Sequence, residues 1–280
     1  MKSVIIQKSE DRRMERTIGF VGCGNMASAM IQGWVQAGIS GDQIIVSNRS
    51  AEKPLKIQKT FGVHIGSNLD VARSAKWVVL AVKPKDIENV LDEIRGQLTS
   101  ESIIVSLAAG MTLETLERKL DPSTKILRMM PNTAAALNQG VIACVKGRNI
   151  TSVDFNETEE LFKKLGYFLP IEEKQMHGEI GLSGSAIAMF YLMADAMGDA
   201  GVTLGFAKAE AIRLAAATMS GAGAMMLQSQ KHPIQLKDEV CSPGGTTIEM
   251  VRSLEATGFR NTVIEAVLAA ATKSKALSEK

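Results

Sequence analysis

The sequence predicts an α/β fold in which a doubly wound sheet is followed by an all-helical C-terminal domain. Three observations carry this reading. Short β-branched runs alternate with amphipathic segments through the first half. A glycine-rich turn joins the first predicted strand to the first predicted helix. From about Glu172 the apolar period changes to that of helices rich in Ala, Met and Leu.

The elements follow in order. Residues 17–21 read as a strand and 27–37 as a helix ended by Gly38; 43–47 is a second strand, 53–60 a helix and 77–82 a third strand. Then come a helix over 86–95, a strand over 102–107, a helix over 112–119 and a strand over 125–129. Two further apolar runs, 140–145 and 167–171, extend the sheet. Strands separated by helices of this length imply parallel pairing with both faces covered. Helical patterns then occupy 181–200, 208–228, 246–254 and 261–277, with Gly201, Gly205 and Gly258 as expected breaks and His232-Pro233 as a turn. Several of these helices are apolar around much of their circumference, which predicts burial in a subunit interface.

Composition narrows the function class. Lys plus Arg number 32 against 30 Asp plus Glu, and aromatics are 4%. That balance offers a polyanion no field and a single-stranded nucleic acid no stacking platform, so no nucleic-acid partner is expected. Cys23, Cys144 and Cys241 are odd in number and far apart, as are His64, His177 and His232; they read as reduced thiols and ordinary histidines of a cytoplasmic protein, with no metal site. No apolar run is read as long enough for a membrane span, so no membrane partner is expected. Residues 1–15 read as an N-terminal extension, with Met1 and Met14 as alternative starts.

The glycine turn is Gly22-Cys23-Gly24-Asn25-Met26-Ala27. Gly22 permits the tight turn, Gly24 lets backbone approach a pyrophosphate, and Ala27 lets the helix pack on its strand, its N-terminus facing the phosphate charge. In this context the pattern predicts a Rossmann-type dinucleotide site. A site for NAD would end the second strand with a carboxylate for the ribose; here stand Ser47-Asn48-Arg49-Ser50, which carry no acid and can hold a 2′-phosphate. NADPH is therefore expected over NADH, although the same four residues also suit a plain polar turn. The loops Ala81-Val82-Lys83-Pro84, Ala108-Ala109-Gly110 and Met130-Pro131-Asn132-Thr133 fall at strand ends and suit a dinucleotide lying across them. On this basis residues 16–172 form the dinucleotide-binding domain and 173–280 the helical one.

A second motif, Cys241-Ser242-Pro243-Gly244-Gly245-Thr246-Thr247, precedes a predicted helix. Free amides and two glycines there suit a carboxylate, while Thr246 with Glu249 reads equally well as a capping box that needs no ligand. Cys241 has no His or Lys close in sequence to activate it and reads as a small filler. The stretch between Gly178 and Ala207 holds no Lys that could protonate an alkoxide, and Asp195 with Asp199 reads as a solvated or capping face. The missing donor favours reduction of C=N over C=O, because hydride addition to a protonated imine neutralises charge.

With these motifs on view, the chain from Arg16 onward resembles the pyrroline-5-carboxylate reductase family. The resemblance rests on residues 18–26, 80–84, 106–110, 129–133, Gly181-Leu182-Ser183-Gly184-Ser185, Leu236-Lys237-Asp238 and, most specifically, Ser242-Pro243-Gly244-Gly245-Thr246-Thr247. It implies NADPH-dependent reduction of 1-pyrroline-5-carboxylate to L-proline, the last step of proline biosynthesis, by homodimers with interlocked helical domains that often form decamers. By position it implies that Gly22, Cys23, Gly24, Asn25 and Met26 hold the pyrophosphate and Ser47, Asn48, Arg49 and Ser50 the adenosine phosphate. Asn68, Ala81, Val82, Lys83, Pro84, Ala108, Ala109 and Gly110 would line the rest of the cofactor. Ser242, Gly244, Gly245 and Thr246 would take the substrate carboxylate, and Thr247 would set its hydroxyl at the ring nitrogen. The chain departs from the family at Ala186-Ile187-Ala188-Met189, where Gly-Pro-Ala and an aromatic are common, and at Ala134, where Pro is usual. Those departures keep two alternatives open: a reductase of another imino acid, and a catalytically retired NADP-binding regulator.

Overall fold

The computed structural model describes residues 16–278. The expected N-terminal extension, residues 1–15, lies outside them. The strands are β1 (Arg16–Val21), β2 (Ile44–Ser47), β3 (His64–Ile65), β4 (Ala75–Leu80), β5 (Ile103–Ser106), β6 (Lys125–Pro131), β7 (Gly140–Lys146) and β8 (Gly166–Pro170). They form one eight-stranded sheet in the order β3-β2-β1-β4-β5-β6-β7-β8. Helices α1 (Asn25–Gln36), α2 (Glu52–Phe61), α3 (Asn68–Ser74), α4 (Pro84–Ile94), α5 (Leu113–Lys119) and α6 (Ser152–Phe162) connect them. The order reverses at β1, which places a switch point, and hence a ligand crevice, at the C-terminal ends of β1 and β4.

Alternation along the strands builds two cores. Ile18, Phe20, Ile44, Val46, Trp77 and Val79 join Met30, Ile31 and Trp34 on one face of the sheet. Ile45, Val78, Leu80 and Ile104 join Ile87, Leu91 and Ile94 on the other. Successive side chains of a strand point to opposite faces, so a run buried throughout, such as Ile44–Ser47, serves both layers. Gly19 brings α3 close: a Cβ there would stand 2.6 Å from Val71 Cγ1.

The pairing departs from expectation at one place. β6 and β7 are antiparallel, whereas every other pair is parallel. A short 3-10 turn over Thr133–Leu137 joins them, ended by Asn138 in the left-handed conformation, and a link this short can only reverse the chain. Five elements escaped the sequence reading: β3 has two residues, α3 has seven, α6 presents an acidic surface over few apolar positions, and the helices Met176–Glu179 and Pro233–Val240 are only four and eight residues long.

Beyond β8, α7 (Met176–Glu179) runs into a π turn over Ile180–Gly184, then α8 (Ala186–Thr203), α9 (Lys208–Ser229), α10 (Pro233–Val240), α11 (Thr246–Ala256) and α12 (Phe259–Ser278) follow. The chain forms two compact units, one containing residues up to Gly184 and from Ala270 onward, the other Ser185–Ala269. Gly201, expected to break a helix, lies inside α8 and is buried; a Cβ there would come 2.3 Å from Ala211 Cβ, so its role is close approach to α9. Gly205 and Gly258 have positive φ and do end helices. The helical stretch Glu173–Thr203 is long and apolar enough to cross a membrane by length and composition, contrary to the reading of apolar runs one by one.

Candidate functional site

The glycine turn is held from both sides. Gly22 has φ +103°, and a Cβ on it would stand 2.7 Å from the Ala81 carbonyl oxygen, so only glycine fits. Its N–H donates to the Ser47 carbonyl at 2.9 Å, and the Ala81 N–H donates to the Val21 carbonyl at 2.8 Å, which ties the turn to the ends of β2 and β4. Cys23 is buried, its N–H donating to Asn48 Oδ1 at 3.2 Å. Burial pushes its thiol up to about 11, against a smaller opposing pull from Lys53, so Cys23 is a packed, protonated group. α1 starts after Gly24, which supplies no side-chain cap, and the first amides of the helix are left for another acceptor.

Beside this turn opens a groove of about 470 Å³. Of the predicted residues, Gly22, Cys23, Gly24, Ser47, Asn48 and Arg49 line it, as do Asn68, Ala81, Val82 and Lys83. Asn25, Met26, Ser50, Pro84, Ala108, Ala109 and Gly110 do not. Ser106, the last residue of β5, pairs with Arg128 of β6, so residues 108–110 and 130–133 follow that pairing along the same edge of the sheet. Met130 and Pro131, expected in a loop, are the last residues of β6, because they pair with β7, and only Asn132 and Thr133 turn away from it. The Ser47 hydroxyl is buried and donates to Asn68 Oδ1 at 2.7 Å, and Asn68 Nδ2 donates to Glu93 Oε2 at 2.7 Å. Ser47 and Asn68 thus stiffen the wall, while Asn48 folds over Ser50 through Nδ2.

Sequence reasoning missed Lys53 and Lys85, which join Arg49 and Lys83 around the groove. Lys53 stands in the first turn of α2 and Lys85 in the first turn of α4, so only the sheet order brings the four cations together. The acids of the groove are engaged: Asp86 pairs with Arg49 at 2.5 Å and Glu93 with Asn68. A site with uncapped helix amides, no carboxylate at the end of β2 and four cations around its rim fits a phosphorylated dinucleotide.

In the helical unit, Gly244 has φ +67° and the Gly245 N–H donates to the Ser242 carbonyl at 3.0 Å, which folds the second motif into a tight turn. The predicted capping box is absent. Gly245 is the N-cap of α11, Thr246 is its first residue, and Glu249 pairs with Arg252 instead. The helix starts one residue earlier than the box requires, so its leading amides carry no side-chain cap. Lys208 is the first lysine after the stretch that lacks one, and it is held charged by Asp199 and Asp195. The acid pair is therefore one side of an exposed salt bridge.

Residues 173–277 match the model of pyrroline-5-carboxylate reductase dimerisation, and 17–110 match that of the NADP oxidoreductase, coenzyme F420-dependent, family. A pyrroline-5-carboxylate reductase of Escherichia coli is 40% identical over 95% of this chain and 100% of its own length. The chain belongs to the pyrroline-5-carboxylate reductase family. Among solved structures, one from Coxiella burnetii superposes with TM-score 0.86 at 33% identity, covering 94% of this chain and 99% of the other. Another, from Plasmodium falciparum with NADP bound, gives 0.84 at 32% identity over 94% and 98%.

Proposed function

We infer that this protein reduces 1-pyrroline-5-carboxylate to L-proline with NADPH, the last step of proline biosynthesis. The observation that carries the inference is the groove at Gly22–Gly24, rimmed by Arg49, Lys53, Lys83 and Lys85, in a chain of this family. When bound there, NADPH supplies the hydride. The amides behind Gly24 would hold its pyrophosphate and Arg49 and Asn48 its 2′-phosphate, and residues 81–84, 108–110 and 130–133 would hold the remainder.

The substrate carboxylate is taken by the uncapped turn at Ser242, Gly244, Gly245 and Thr246, and the Thr247 hydroxyl meets the ring nitrogen. Hydride addition at the C=N carbon neutralises the protonated imine, and the product amine takes its next proton from water. An acid on the protein is not needed for that step, in keeping with a Lys208 locked in its ion pairs. The protein works in the cytosol as a homodimer, and decamers are the larger form to look for by sedimentation.

The test follows the absorbance of the reduced nicotinamide as the cyclic imine is added. NADPH oxidation with the five-membered ring supports the reading. A clear preference for a six-membered cyclic imine, or NADPH binding without turnover, overturns it.

A further inference from the structure

Outside the groove, one acidic side chain is buried without a use. Glu179, at the end of α7, is 8% exposed, and neither of its carboxylate oxygens reaches solvent or finds a hydrogen-bond partner of good geometry. The polar side chain facing it is Ser183, one turn on, inside the π turn. Ser183 Oγ in turn accepts from Asn132 Nδ2 at 3.3 Å. Asn132 closes β6: its Oδ1 accepts from the Ala134 N–H at 3.2 Å and the Val141 N–H at 3.3 Å, which fixes both the 3-10 turn and the start of β7. A line of polar groups therefore runs from a buried carboxyl to the strand-end loop at residues 130–133. A π turn widens the helix there, a feature frequent at functional positions.

We propose that Glu179 is a positioning residue for the 130–133 loop, acting through Ser183 and Asn132 in its neutral acid form. The proposal rests on the assignment of that loop to the cofactor site under Proposed function. As an acid, Glu179 donates to Ser183 and leaves the second lone pair of the hydroxyl for Asn132. As a carboxylate it is an ion in an apolar place, and relief requires α7 and the π turn to open toward water. Opening draws Ser183 away from Asn132. Burial raises the carboxyl to about 7, with Ser183 opposing more weakly, so the change falls near neutrality. The charged and titratable groups on the surrounding elements are Arg128 on β6, which bonds Glu173 through Nη1 and keeps Nε and Nη2 buried without partners, Lys146 on β7, which stands over the Phe155 ring, and His177 on α7, which bonds Ser274 on α12.

The test uses the full chain and three variants. In the parent protein kcat for the imine falls as pH rises through neutrality. Glu179→Gln keeps a donor to Ser183 and cannot ionise; it retains the low-pH kcat and loses the fall. Glu179→Leu and Ser183→Ala lower kcat about tenfold at every pH while the Kd for NADPH, read by fluorescence titration, stays within about twofold. Hydrogen exchange at the Ala134 and Val141 amides, compared at one pH, is about tenfold faster in Glu179→Leu than in the parent. An unchanged pH profile in Glu179→Gln, or parental protection of both amides in Glu179→Leu, overturns the proposal. If the parent itself fails to oxidise NADPH with the imine, the functional reading falls, and the exchange measurement still decides the role of Glu179.

Discussion

Arg49 keeps 79% of its side chain exposed yet sits 2.5 Å from Asp86, so it is placed at the rim of the groove without being buried. An exposed ion pair contributes little to stability, which leaves the guanidinium free to turn to a better acceptor. Arg49→Ala is expected to raise the Kd for NADPH about tenfold, equivalent to about 1.4 kcal/mol, and to leave NADH nearly untouched. Equal losses for both nucleotides in a fluorescence titration would remove the 2′-phosphate role. Thr247, half-buried in the first turn of α11, is the corresponding residue for the substrate. Thr247→Ala is expected to lower turnover about a hundredfold with NADPH affinity nearly unchanged, and full activity in that variant would contradict its assignment. The sequence displayed both residues, because a missing carboxylate after a second strand and a Gly-Gly-Thr-Thr run are local patterns. It did not display Lys53, at an ordinary position of the predicted helix over 53–60, or Lys85, which fell between the 81–84 loop and the predicted helix over 86–95.

At the scale of elements, α6 shows how a helix with little apolar pattern is still fixed. Thr151 and Asp154 cap its start reciprocally, and Lys125 at the head of β6 pairs with Asp154 at 2.9 Å. Although burial pushes the Asp154 carboxyl up, hydrogen bonds from Thr151 and Lys125 outweigh it and hold the group below its ordinary 3.8. A lowered carboxylate contributes stability that is present above the unfolded value and lost as pH falls through the folded one. Lys125→Met is thus expected to cost about 1 kcal/mol at neutral pH and progressively less below pH 3.8. Thermal melts of the two proteins across that range check it; a gap that persists in acid would place the effect in packing. The same scale shows why the capping box failed. Ser/Thr followed by Glu three residues later is a probability, and the turn closed by Gly245 and Ser242 set the helix start first.

For the whole molecule, the helical unit is unusual in what it leaves uncovered. Leu192 and Leu204 are 71% and 77% exposed and Leu227 on α9 is 78% exposed, together with Phe190, Tyr191 and Met226. So many exposed large apolar side chains mark association, and the match of residues 173–277 to a dimerisation domain supports self-association. Leu227→Glu is expected to shift the protein to monomer in size-exclusion chromatography and to lower its Tm; an unchanged elution volume would place Leu227 outside the interface. The predicted subunit interface and the membrane-like hydropathy of residues 173–203 have the same origin, since a helix that is apolar around its circumference needs another protein surface or a lipid to cover it.

By itself the sequence determined the alternation of strands and helices, the nucleotide turn, the absence of an acid after β2 and the change to helices near residue 172. Each is a short-range pattern, set by the period of side chains along a strand or helix and by the conformations that glycine permits. Only the tertiary structure decided the reversal between β6 and β7, the gathering of Lys53 and Lys85 around the groove, the use of Gly201 for helix contact and the burial of Glu179 against Ser183. These depend on which elements become neighbours, and neighbours far apart in the chain leave no periodic mark in it.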